Sequence, residues 1–131
     1  MRKNFQTKYG SLGNCLAACI SSLMDLDIHD VPNVEVLFDL DEGVFFQDST
    51  PLWGEVLYKF IQHKGYNWRI ATEEEINNPP KDKPFLVIGK SLNGERNHAV
   101  IYMNGELYHD PNEFRKGLSS ILSIQVIEKL K

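Results

Sequence analysis

The 131-residue chain has little cysteine, no cluster of cations and no long apolar run, and each scarcity removes a class of function. Its two cysteines, Cys15 and Cys19, stand four positions apart in one unbroken apolar stretch. On a helix such neighbours share a face, and a disulfide between them would close a trivial loop in strained geometry. A reduced, cytoplasmic setting is therefore expected, with thiols available for chemistry. Nothing approaches the roughly 18 consecutive apolar residues of a membrane span. The segment from Met1 to Tyr9 lacks the basic region and apolar run of a secretory leader, so no membrane partner is expected. The 14 basic residues are scattered among 18 acidic ones, for a formal charge of -4. Phosphate backbones are bound by clustered cations, so no nucleic-acid partner is expected either. His29, His63 and His109 have no ligand spacing to one another or to the cysteines, which argues against a metal, and no cofactor is implied.

What the chain does contain is enough apolar surface for one core, 42% of its residues, and no repeat or composition break to divide it. One domain over residues 1–131 is expected. Cys15 to Met24 runs without a breaker and sets Leu16, Ile20 and Leu23 on one stripe, a short buried helix with Asn14 as its N-cap. Val34 to Gln47 shows no clear period and reads as loop with at most one short helix. From Pro51 to Lys64, the positions Leu52, Trp53, Val56, Leu57, Phe60 and Ile61 recur at helical spacing. Asp48, Ser49 or Thr50 can cap that helix and Gly65 can stop it. Beyond Gly65 the period changes to that of strands: Asn67 to Ala71, Pro84 to Gly89, His98 to Met103, Glu106 to Asp110 and Ile121 to Lys129. Glu73, Glu74 and Glu75 look like the start of a short helical turn. Helices first and sheet second predict an α+β fold with an antiparallel sheet.

The order of elements separates a cysteine on an early helix from a histidine on a late strand. A cysteine attacks as its thiolate, and an unperturbed thiol, titrating near ~8.5, is mostly protonated at neutral pH. At the first turn of a helix, Cys15 would meet backbone N–H groups and the positive end of the macrodipole, both of which favour negative sulfur. A nearby imidazole would complete the activation and later protonate the leaving group. His98 opens an alternating strand, and Asn104-Gly105 turns the chain back toward Asp110 and Pro111. With a two-residue turn, His98 would face Pro111 and Asp110 would point to the other side of the sheet. With a three-residue loop and Gly105 as a left-handed bulge residue, Tyr102 pairs with Glu106 and His98 faces Asp110. A Cys15, His98, Asp110 triad demands the second register or an equivalent bulge, and Asp110 then orients His98. The developing oxyanion needs two donors. The N–H of Cys15 can supply one, and either Gln6 or Asn14 the other; Gln6 must loop back beside the helix start to do so. The competing reading makes Cys15 and Cys19 ordinary core residues, which is how most buried cysteines serve. Cys19 fits that reading best. His109, alternating with Asp110, should face away from the site, and Trp53 and Trp68 read as core or groove wall.

Gln6, then Gly13-Asn14-Cys15 opening a helix that continues Ala17-Ala18-Cys19, then His98-Ala99-Val100-Ile101 and Asp110-Pro111, resemble the papain-like cysteine peptidase superfamily. The closest similarity is to bacteriocin leader-peptidase-like domains and to small bacterial and phage proteins that also share Val31-Pro32 and Gly117-Leu118. The resemblance spans about Gln6 to Leu118. It implies a papain-like fold, an N-terminal Cys helix packed on a C-terminal sheet that carries His98 and Asp110. It further implies thiol-dependent acyl transfer or hydrolysis of a peptide, isopeptide or related amide bond. The partner would be a peptide or protein substrate. The alternative is a non-catalytic binding or sequestering protein on the same fold, such as a phage factor that captures a host protein or small ligand.

Overall fold

The computed structural model describes residues 1–7, 14–32, 52–92, 97–112 and 117–130. The loop expected over Val34 to Gln47, the caps Asp48, Ser49 and Thr50, and the side chains of Leu52 and Trp53 lie outside the described residues.

Helix α1, Cys15–Leu23, is buried on every side. A helix apolar all round belongs at the centre of a fold, and Leu16 and Ile20, both at 0% exposure, each contribute about 1.5–3 kcal/mol by leaving water. Its two polar members are satisfied locally: the hydroxyls of Ser21 and Ser22 both donate to the Ala18 carbonyl, at 2.9 and 2.7 Å. It ends in a Schellman arrangement, with Leu26 N–H on Ser21 O, Asp25 N–H on Ser22 O, and Asp25 itself left-handed at φ 55°. Helix α2, Leu52–His63, buries Leu57 and Ile61 and is stopped by Gly65 at φ 85°. Val56, expected on its buried stripe, is exposed instead, because the helix turns Leu57 and Ile61 inward and leaves their neighbour one step round the cylinder in water. A third helix, α3 (Glu73–Asn77), is a single turn started by a capping box between Thr72 and Glu75.

The five strands are β1 (Tyr66–Ile70), β2 (Pro84–Ser91), β3 (Asn97–Met103), β4 (Glu106–His109) and β5 (Leu118–Lys129). They form one antiparallel sheet in the order β1-β5-β2-β3-β4, so the architecture is α+β as expected. Alternation divides the sheet into two apolar faces. Leu86, Ile88, Ala99, Ile101, Trp68 and Ile127 pack with α1 and α2. Phe85, Val87, Val100 and Val126 point the other way, with Ala71 beside them. On the helix side, the indole of Trp68 donates to Gln125 Oε1 at 2.7 Å, which satisfies two buried polar groups at once. No helix among the described residues is long and apolar enough to cross a membrane.

The turn joining β3 to β4 is not a three-residue loop with a bulge at Gly105; the equivalent bulge that the triad also allows lies further along β4. Asn104 at φ 56° and Gly105 at φ 78° make a two-residue turn of the type I′ class, with Met103 paired to Glu106. Asn104 accepts the strain of a left-handed backbone while its side chain exchanges hydrogen bonds with Asp82, at 2.8 and 3.1 Å. The extra residue enters later. Tyr102 pairs with Leu107 but Ile101 pairs with His109, so Tyr108 is a bulge. One additional residue on β4 reverses the alternation beyond it, and Asp110 joins the face that His98 occupies.

Candidate functional site

Asp110 follows the end of β4 and is wholly buried, its side chain at 0% exposure. Oδ1 accepts from His98 Nε2 at 2.7 Å and from Asn112 N–H at 2.8 Å, while Oδ2 accepts from Gly117 N–H at 2.7 Å. Three donors on two oxygens describe an ionised carboxylate. Since a carboxylate only accepts, the shared proton resides on His98 Nε2, which makes Nδ1 the ring nitrogen that can take and give protons. Gly117, at φ 104°, supplies a left-handed backbone that a side chain would resist.

Opposite His98 in the sheet stands Gly89 of β2. A methyl group placed there would sit 1.9 Å from the Ser120 carbonyl oxygen, so the bulged crossing of β5 over β2 at this point exists only because residue 89 has no side chain. The same crossing supports the strand that carries His98.

Cys15 is the first residue of α1, and the first intrahelical bond runs from Ala18 N–H to Asn14 O. No acidic side chain lies in the first turn, so nothing there opposes the dipole's preference for a thiolate. Cys15 is 5% exposed and belongs to the helix-side cluster with Ala99 and Ile101, as does Cys19 at 0%; neither is in a disulfide.

Asn14 occupies the N-cap position without capping: its side chain makes no cap hydrogen bond. The amide is turned to Thr7 instead, accepting from Thr7 N–H at 2.9 Å and donating to Thr7 Oγ1 at 2.8 Å. A two-point clasp of the chain start outcompetes the single cap bond the sequence suggested. Gln6, next to it and buried, has its N–H on the Pro111 carbonyl at 3.0 Å. Gln6 thus loops back between the start of α1 and the residue after Asp110. His109 is buried on the other side of β4 from Asp110, where its ring lies against Phe5 at 5.0 Å and its Nε2–H donates to the Asn4 carbonyl at 2.6 Å.

The structure therefore brings His98 to Asp110, and Gln6 to both Pro111 and the neighbour of Asn14, all at the end of the sheet where β3 begins. Three supporting groups were missed from sequence: the backbone N–H groups of Asn112 and Gly117, and Gly89. Only the Gly117-Leu118 pair of the family resemblance pointed toward the second. An apolar hollow lined by Ile76, Phe85, Tyr102 and Ile121 lies at the other end of β3 and shares no residue with this cluster. Comparison with family models, with curated proteins and with solved structures returned no match.

Proposed function

We propose that this chain is a papain-like thiol enzyme that forms and resolves a thioester with a peptide, isopeptide or related amide substrate. The observation that carries the reading is the His98–Asp110 pair at 2.7 Å, buried and held from behind by two backbone donors. A histidine fixed in one tautomer by a fully satisfied carboxylate is the arrangement that general base catalysis requires.

In this reading Nδ1 of His98 takes the thiol proton of Cys15, and the sulfur attacks the carbonyl carbon. The imidazolium so formed, stabilised by Asp110, protonates the leaving nitrogen as the C–N bond breaks. Water then attacks the thioester carbon, giving its proton to His98, and the C–S bond breaks to release the acid. The oxyanion of each step is held by the Cys15 N–H and by Gln6, which the clasp of Asn14 on Thr7 favours over Asn14 itself. Ala99 and Ile101 occupy the helix-facing side of β3. His98 alternates to the other face of that strand, so this reading requires Cys15 and His98 to meet past its end, beside Gln6.

Labelling of the intact protein with iodoacetamide near pH 7, read by peptide mass, tests the proposal. Cys15 should react at least tenfold faster than a simple alkyl thiol and lose that advantage in His98→Ala, while Cys19 stays unlabelled. Equal rates for Cys15 and a simple thiol, or indifference to His98→Ala, would refute it. Full biological activity in Cys15→Ala would transfer the function to a binding role.

A further inference from the structure

We propose that His109 is a positioning residue for the oxyanion side of the site, holding the strap Asn4 to Thr7 so that Gln6 stays beside Pro111 and the start of α1. The inference rests on the reading of Gln6 given above and adds the device that sets it.

The strap is tied at both ends of α1. At one end Asn4 N–H donates to Ser22 Oγ at 2.9 Å, and Asn4 Nδ2 donates to Ser21 Oγ and to the Leu26 carbonyl at 2.9 and 2.8 Å. At the other, Thr7 and Asn14 exchange two bonds. Seven helical steps from Asn14 to Ser21 rise about 10.5 Å. The three residue steps from Asn4 to Thr7 reach at most about 10–11 Å. The strap is consequently close to full extension, and a shift of its near end is passed on to Gln6 with little slack to absorb it.

Along its length β4 and the residues after it hold the strap sideways. His109 Nε2–H holds the Asn4 carbonyl and Phe5 lies edge-on to the same ring, two residues before Gln6 N–H meets Pro111 O. The Tyr108 bulge makes this possible. It turns Asp110 toward His98 and leaves His109 facing the strap, so two successive side chains orient the two sides of one site. Misplacement of a catalytic donor by about 1 Å is enough to cost on the order of 100-fold in rate.

The test uses the full chain and two reactions of Cys15. Hydrolysis of p-nitrophenyl acetate passes through an oxyanion; alkylation by iodoacetamide does not. His109→Leu should lower kcat for the ester roughly 10- to 100-fold, leave KM within about twofold, and leave alkylation unchanged. His109→Gln, whose amide can reach the same carbonyl, should recover most of the loss, and the shorter His109→Asn should not. In a Gln6→Ala background, His109→Leu should have no further effect. Equal losses in both reactions, failure of His109→Gln to rescue, or losses that multiply with Gln6→Ala would overturn the inference while leaving the thiol-enzyme reading intact. Absence of Cys15-dependent ester hydrolysis in the unaltered protein would instead defeat that reading, and the inference with it.

Discussion

Asp110→Asn is the substitution on which the site's electrostatics can be judged most directly. The carboxylate accepts from His98 Nε2, Asn112 N–H and Gly117 N–H, and all three partners are donors. An amide has one accepting oxygen. If it faces His98 and Asn112, its NH₂ confronts the Gly117 N–H; if it faces Gly117, the NH₂ confronts Asn112 and drives the His98 proton from Nε2 to Nδ1. In the first orientation one partly buried donor is orphaned, at about 1–3 kcal/mol, and the charge that stabilises the imidazolium is gone. In the second the base is in the wrong tautomer. For a chain of this length, about 3–5 °C of melting temperature follows each kcal/mol, so Asp110→Asn should melt about 3–15 °C below the parent protein. In the proposed reading, acyl-transfer turnover should fall roughly 10²- to 10⁴-fold, the usual contribution of a positioned acid or base. Calorimetry and Cys15-dependent ester hydrolysis measure the two quantities. A melting point within about 1 °C of the parent, together with unchanged turnover, would refute the three-donor account of this carboxylate.

Two further outcomes follow from neighbouring features. Gly89→Ala places a methyl group 1.9 Å from the Ser120 carbonyl; the β2–β5 crossing must shift, at about 1–3 kcal/mol or more, and urea unfolding should show it. Glu75 carries a network in which it pairs with Arg69 at 2.7 Å and Lys83 at 3.0 Å, with Glu128 completing the square. The Arg69 hydrogen bonds hold both carboxyls below their ordinary value of 4.5, so their contribution is fully present above that pH and is lost as the medium grows more acidic. Glu75→Gln should therefore flatten the acid limb of the stability curve between about pH 4.5 and 2, and a limb as steep as the parent's in thermal melts over that range would count against the network.

Much of the fold was legible because local signals agree with the tertiary outcome. The unbroken apolar run from Cys15 makes a central helix, and Gly65 stops α2. The change from helical spacing to alternation after Gly65 marks the sheet, and Glu73, Glu74 and Glu75 mark a short helical turn, whose capping box with Thr72 only the structure showed. The same holds for the chemistry-bearing residues: Cys15 at a helix start, His98 near a strand start and Asp110 before Pro111 are each recognisable from their neighbours. Other features were hidden. Asn14 has the composition of an N-cap, but a partner seven residues upstream claims its amide. Val56 fits the α2 stripe equally well until the packing direction of that helix is known.

The sequence by itself determined where helices and strands lie, that the sheet is antiparallel, and which side chains have the chemistry for a site, since periodicity and turn residues act over a few positions. The tertiary structure alone decided that β5 inserts between β1 and β2, that Gly89 must be bare at the resulting crossing, and that the irregular residue on β4 is Tyr108 rather than Gly105. That last choice turns Asp110 toward His98 and His109 toward the N-terminal strap. A strand's alternation is reversed by one residue, and which residue yields depends on what each face must pack against, information that no stretch of the chain contains on its own.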